Sequence, residues 1–235
     1  MNDWRDIVER LRRACLEAGL DLVHAFGTGQ LAEAAADERL PDFGRRNALG
    51  VLIGNTRALW PAFTLAFDTS PTLRARPNPL DSYVSERVAH AAASSGALAH
   101  EITFAHAVTP RAYPIQRLAD RSGFAAISPC HLVIHPDHGL WLGLRAVVTF
   151  DCEGPHESAP RAVRPCDTCP APCVSALGHA IAVTPQPLGQ ATIREHADAW
   201  IDVRRVCPFG QASRYGEAQL RYHYVHDRAL IRVEP

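Results

Sequence analysis

The chain has 235 residues, 47% of them hydrophobic and 21% charged, with a formal net charge of -1. That is enough apolar chain to bury a full core, and it leaves no global positive field to gather phosphate backbones or anionic lipid, so neither nucleic acid nor membrane is an expected partner. Every basic residue is Arg and none is Lys, which excludes a lysine Schiff base and a P-loop lysine.

The opening residues mix acids with bases and hold no apolar run suited to a signal peptide or membrane span, so a cytoplasmic location is expected. Trp4, Ile7, Val8, Leu11 and Cys15 recur at helical spacing and predict an amphipathic helix closed by Gly19. Residues 20–26 read as a short strand, 27–47 as a polar, alanine-rich loop, and 48–54 as a buried strand followed by a helix through Ala66. After the proline-rich loop 71–79 comes a helix capped by Asp81 or Ser82, with Val84, Val88, Ala91 and Ala92 turned inward. A strand at 101–108, a helix at 115–121 stopped by Gly123, and strands at 132–135 and 141–150 complete the pattern. Interleaved helices and strands to residue 150 argue for a layered α/β or α+β domain. From residue 151 prolines crowd in and the thiols begin, so 151–235 reads as a cysteine-rich appendage with a last helix near 217–224.

In a reducing compartment, seven cysteines point to metal or redox work more than to disulfides. Cys15, Cys130 and Cys152 stand apart and read as small buried hydrophobes. Residues 164–173 (RPCDTCPAPC) place Cys166, Cys169 and Cys173 at i, i+3 and i+7, with loops short enough to wrap one metal centre and prolines to stiffen the wrap. A fourth ligand is suggested by Cys207-Pro208, because Cys-Pro ends the ligand run of a bacterial ferredoxin. Leu177 stands where a complete run would place a cysteine for a second cluster. The chain therefore has a sufficient set for one cluster and a deficient set for two. One 4Fe-4S cluster is the expectation, with a structural zinc ion as the alternative, although zinc favours paired C-x-x-C knuckles.

These residues resemble the iron-sulfur part of epoxyqueuosine reductase and its short ferredoxin-like relatives, in which a cobalamin-binding, nitroreductase-like domain precedes the cluster. Residues 128–145 (SPCHLVIHPDHGLWLGLR) are similar to a strand, turn and strand of that domain and to the Ile-His-Pro and Gly-Gly-Trp stretches of cobalamin C type processing proteins. Further similarities are LGVLIGNT at 49–56, NPLD at 78–81 and RYGEAQ at 214–219. The resemblance implies an α+β fold: a nitroreductase-like, corrinoid-binding domain over 1–150 with flanking helices, and a small ferredoxin-like appendage over 151–235. It further implies a cobalamin held near the cluster, with Pro114, Ser128, His135, Gly139, Trp141 and Gly143 as cofactor-binding residues. The function it implies is a corrinoid-binding iron-sulfur protein that reduces, dealkylates or carries cobalamin, served by an electron donor protein or a thiol. Its rivals are a non-catalytic electron carrier and a zinc-stabilised binding module without corrinoid. Arg145, Arg161, Arg164, Arg204 and Arg205 are candidates for a nucleotide phosphate or a thiol cosubstrate. No catalytic residue is assigned, because Arg111 occupies the place of the acid that epoxyqueuosine reductase carries, and an Arg donates no proton near neutral pH.

Overall fold

The structure is a computed structural model that describes residues 3–31, 35, 38–96, 98–107, 112–156 and 163–232. Arg111 and Arg161 lie outside the described residues. In chain order the elements are α1 (Trp4–Glu17), β1 (Leu22–Gly27), β2 (Ala48–Asn55), α2 (Leu59–Thr69), α3 (Pro71–Arg74), α4 (Pro79–Ser94), β3 (His100–Phe104), α5 (Ile115–Arg121), β4 (Ala126–Ile127), β5 (Val133–Ile134), β6 (Gly143–Glu153), α6 (Pro172–Val183), α7 (Gln190–Glu195), α8 (Ala197–Arg205) and α9 (Glu217–Val225). The class is α+β, with antiparallel sheets. No helix among the described residues is long and apolar enough to cross a membrane.

The chain divides into two compact units, Met1–Phe124 with Gly143–Arg161, and Ala125–Leu142 with Ala162–Pro235. The first is built on a four-stranded sheet in the order β1-β2-β6-β3. Every residue of β2 is buried, as its near-continuous apolar run requires of a strand covered on both faces. Ile7, Val8, Leu11 and Cys15 form the buried stripe of α1, which packs against α4. Each such side chain contributes roughly 1.5–3 kcal/mol on leaving water. Buried Glu38 takes ion pairs from Arg117 Nη1 and Arg121 Nε of α5, both at 3.0 Å. Tyr113 adds a hydroxyl donated to the Glu38 carbonyl at 2.8 Å. Of the three isolated cysteines, Cys15 is buried as expected, whereas Cys152 on β6 is only half-buried.

The second unit pairs the short β4–β5 ladder with four helices. Only α9 among those helices was expected. Helix α6 opens directly at the thiol run, with Ala171 in the left-handed conformation (φ 51°) and Pro172 in the first turn, where its missing N–H costs nothing. Helix α6 packs against α8, and Trp200 Nε1 donates to Thr184 Oγ1 at 2.9 Å. Two apolar clusters hold the unit together, one around Cys130, Ile134, Ala180 and Val203, the other around Trp141, Ile201, Tyr215 and Leu220.

Candidate metal centre

Three short pieces of chain bring the thiols of the second unit together. Cys166 lies in a single 3-10 turn (Pro165–Thr168), and Cys173 in the first turn of α6. Cys207 follows the end of α8, where its N–H donates to the Arg204 carbonyl at 3.1 Å and its own carbonyl accepts Gln211 Nε2 at 2.6 Å. Cys173 and Cys207 belong to one buried apolar cluster, and Cys166 packs on it.

The thiols sense one another electrostatically. Burial raises the Cys166 pKa, and Cys169, Cys207 and Cys130 raise it further. Burial also raises Cys173, followed by Cys130, which is both a neighbouring charge and a hydrogen-bond partner, then Cys207 and Cys166. Cys207 is raised by burial but eased by backbone N–H groups of Phe209 and Leu140 that donate to its sulfur, with Cys130 and Cys169 opposing. Cys169 Sγ accepts the Ala171 N–H at 3.4 Å. Among the described residues no group of three or more His, Cys, Asp or Glu side chains is arranged to hold a metal ion. Cys166, Cys173 and Cys207 thus meet in one apolar cluster, not in a ready-made tetrahedral ion site.

A cation shares this neighbourhood. Arg204 donates Nε to Tyr224 Oη at 3.0 Å and Nη1 to the Leu140 carbonyl. Burial would lower its pKa, yet Tyr224, Tyr215 and Cys130 raise it on balance. No carboxylate pairs with Arg204 among the described residues, so its charge suits a set of thiolates.

Two participants were not legible in the spacing of the thiol run. Cys130 is buried, as expected of a small hydrophobe, in the apolar cluster that also holds Cys173 and Cys207. Arg204 was a candidate for a nucleotide phosphate or a thiol cosubstrate. No local pattern marks either, since both reach the pocket through tertiary packing. Of the other arginines, Arg145 is committed to Asn55 Oδ1 at 2.6 Å and Arg205 to both carboxylate oxygens of Glu217 at 2.8 Å, while Arg164 is exposed.

The residues named for a corrinoid fall in different places. Pro114 caps α5 and Gly143 begins β6 in the first unit. In the second, Ser128 is buried with its hydroxyl 3.1 Å from Cys130 Sγ, and His135 stacks on His138 with ring centroids 4.8 Å apart. Trp141 is fully buried, edge-on to Tyr215 and under the Arg214 guanidinium. Gly139 packs on the Phe209 backbone. Two cavities of the first unit, of about 400 and 470 Å³, are lined by other residues.

Fold and site together define an α+β protein with a sheet-based unit and a helical unit that gathers thiols. No protein-family model matches the chain, and no curated protein matches it in sequence. A solved structure does share its fold: the crystal structure of a C. elegans B12-trafficking protein CblC, described as a human MMACHC homologue, is similar with a TM-score of 0.73 at 19% identity, over 97% of this chain and 95% of that one.

Proposed function

We propose that this protein binds and processes a corrinoid, by carrying, reducing or dealkylating it in the cytoplasm, and that thiolates of its second unit hold one iron-sulfur cluster. The observation that carries the cluster half is the packing of Cys166, Cys173 and Cys207 in one apolar cluster of the second unit. Cys166, Cys169, Cys173 and Cys207 are the starting assignment. The corrinoid half is supported by the likeness to a B12-trafficking protein over nearly the whole chain.

The donor set suits an iron-sulfur group in three respects. Its ligands are thiols, the Phe209, Leu140 and Ala171 N–H groups point at sulfur, and the Arg204 guanidinium offsets negative charge. Such a cluster supplies electrons singly when bound. The chain's own part is to exclude water with the Cys130, Ile134, Ala180 and Val203 wall and to hold Cys207 by its backbone bonds. A lone zinc ion would need sulfurs about 3.8 Å apart, from four bonds of about 2.3 Å at tetrahedral angles. A cluster of several irons spans a wider set. An electron donor protein or a thiol completes the scheme.

Anaerobically purified protein is expected to be brown with about four irons per chain. Added cobalamin is expected to shift to its base-off visible spectrum. Colourless protein containing one zinc ends the iron-sulfur half, and an unaltered cobalamin spectrum ends the corrinoid half.

A further inference from the structure

In the first unit, the connection between β1 and β2 encloses a cavity of about 400 Å³. The chain leaves β1 through a single 3-10 turn (Thr28–Leu31) and returns to β2 through residues 38–47. Asn47 ties the two arms together: its Oδ1 accepts the Gly29 N–H at 3.1 Å, and its Nδ2 donates to the Gly154 and Pro155 carbonyls at 3.2 and 3.0 Å. On the returning arm Asp42 Oδ1 accepts the Gly44 N–H at 2.9 Å, and the Asp42 carbonyl accepts the Arg45 N–H at 2.9 Å. Phe43 and Gly44 are both left-handed there, with φ of 54° and 75°, so the backbone turns sharply just before Arg45 and Arg46.

Three arginines line this cavity, Arg39, Arg45 and Arg46, together with Thr28, Gly29 and Asp42. Arg45 is anchored: its Nε donates to Asp151 Oδ1 at 2.7 Å and its Nη2 to the Asp151 carbonyl at 3.2 Å, which leaves Nη1 uncommitted among the described residues. Arg39 and Arg46 make no ion pair or side-chain hydrogen bond among the described residues. Asp42 is the one carboxylate among the described residues of the wall, so the wall stays cationic. The Thr28 hydroxyl has no hydrogen-bond partner among them either, so turning it toward an anion breaks no existing bond. Leu31, 5% exposed, and Leu40 give the same space an apolar side.

We infer that this cavity binds a phosphate monoester, its phosphate held by Arg39, Arg46 and the uncommitted edge of Arg45, and its organic part resting on Leu31 and Leu40. Guanidinium forks match the oxygens of a phosphate and hold them by charge-assisted hydrogen bonds. A phosphate monoester carries about -1.5 to -2 at neutral pH, more than a carboxylate, and gains correspondingly more from several cations in one place. Asp42 works in both directions: its charge opposes the ligand, while its Oδ1 holds the turn that presents Arg45 and Arg46. The site lies wholly in the first unit and does not depend on the metal centre proposed for the second.

The test measures binding of phenyl phosphate, inorganic phosphate and benzoate to the full chain by equilibrium dialysis at fixed ionic strength. Phenyl phosphate is expected to bind more tightly than inorganic phosphate, which lacks the apolar part, and than benzoate, which lacks the phosphate. Arg39→Gln and Arg46→Gln are each expected to weaken phenyl phosphate binding at least ~10-fold. Arg76→Gln, which removes an exposed arginine of the same unit outside the cavity, is expected to leave it unchanged. Asp42→Asn keeps an acceptor for the Gly44 N–H and removes the charge, so binding should tighten by roughly 3-fold. All four side chains are exposed, and far-ultraviolet circular dichroism checks that the variants keep the wild-type fold. No binding of phenyl phosphate, equal losses in Arg76→Gln and the two cavity variants, or benzoate bound as tightly as phenyl phosphate would each overturn the inference.

Discussion

The α-carbon of Gly139 rests on the carbonyl group of Phe209 with no room for a Cβ between them, and Gly210 returns the contact against His138. Both glycines have positive φ, 56° and 69°. The contact pins the β5 turn to the segment that carries Cys207. Gly139→Ala is expected to cost roughly 2–4 kcal/mol, from a left-handed backbone plus overlap with a peptide group, and to lower metal uptake. Urea unfolding beside metal analysis measures both, and an alanine variant of wild-type stability would contradict the packing.

Cys15 is fully buried on α1, and burial pushes its thiol up to about 12. An unfolded thiol titrates near 8.5, so the folded chain keeps a proton that the unfolded chain releases. Its contribution is complete below about pH 8.5 and is lost as pH rises toward 12. Melting temperatures should therefore fall over that range, less steeply in Cys15→Ala. Identical slopes in the two proteins would show that Cys15 plays no part.

Glu38 is buried between Arg117 and Arg121, but both guanidinium groups are substantially exposed, so the solvent screens part of the attraction. Glu38→Gln is expected to cost about 1–2 kcal/mol, less at high salt. A double-mutant cycle with Arg121→Gln reads the coupling directly, and additive losses would mean the pair contributes nothing of its own.

Cys207 has two N–H donors at its sulfur, and its carbonyl is held by Gln211. Cys207→Ser is expected to abolish metal uptake while keeping the α+β circular dichroism. Chelation should lower the melting temperature of loaded wild type and leave that of the serine variant in place, since only metal bound to the folded state stabilises it. An equal response in both would place the metal elsewhere.

The first unit was largely legible because its elements advertise themselves locally. The stripe of α1, the continuous apolar run of β2 and the stop at Gly123 after α5 each have a direct physical signature, and Val84, Val88, Ala91 and Ala92 are buried on α4 as their spacing implies. Start positions were less clear: α4 begins at Pro79, ahead of the expected cap at Asp81 or Ser82, because proline at the first helical position already fixes its backbone. In the second unit α6 escaped notice, since Pro172, Gly178 and a weak apolar stripe hide a helix stabilised by packing on α8. Cys130, read as a small buried hydrophobe, is 3% exposed in an apolar cluster of the second unit.

Strand β6 occupies an interior place in the first unit's sheet, hydrogen-bonded to β2 on one side and β3 on the other, yet it follows both in the chain. During synthesis β2 and β3 therefore emerge with bare peptide edges that only each other's later neighbour can cover. The sheet cannot close until residue 153 has left the ribosome, so a fragment ending at 124 would expose an apolar slot where its longest strand belongs, and would be prone to aggregate rather than to fold.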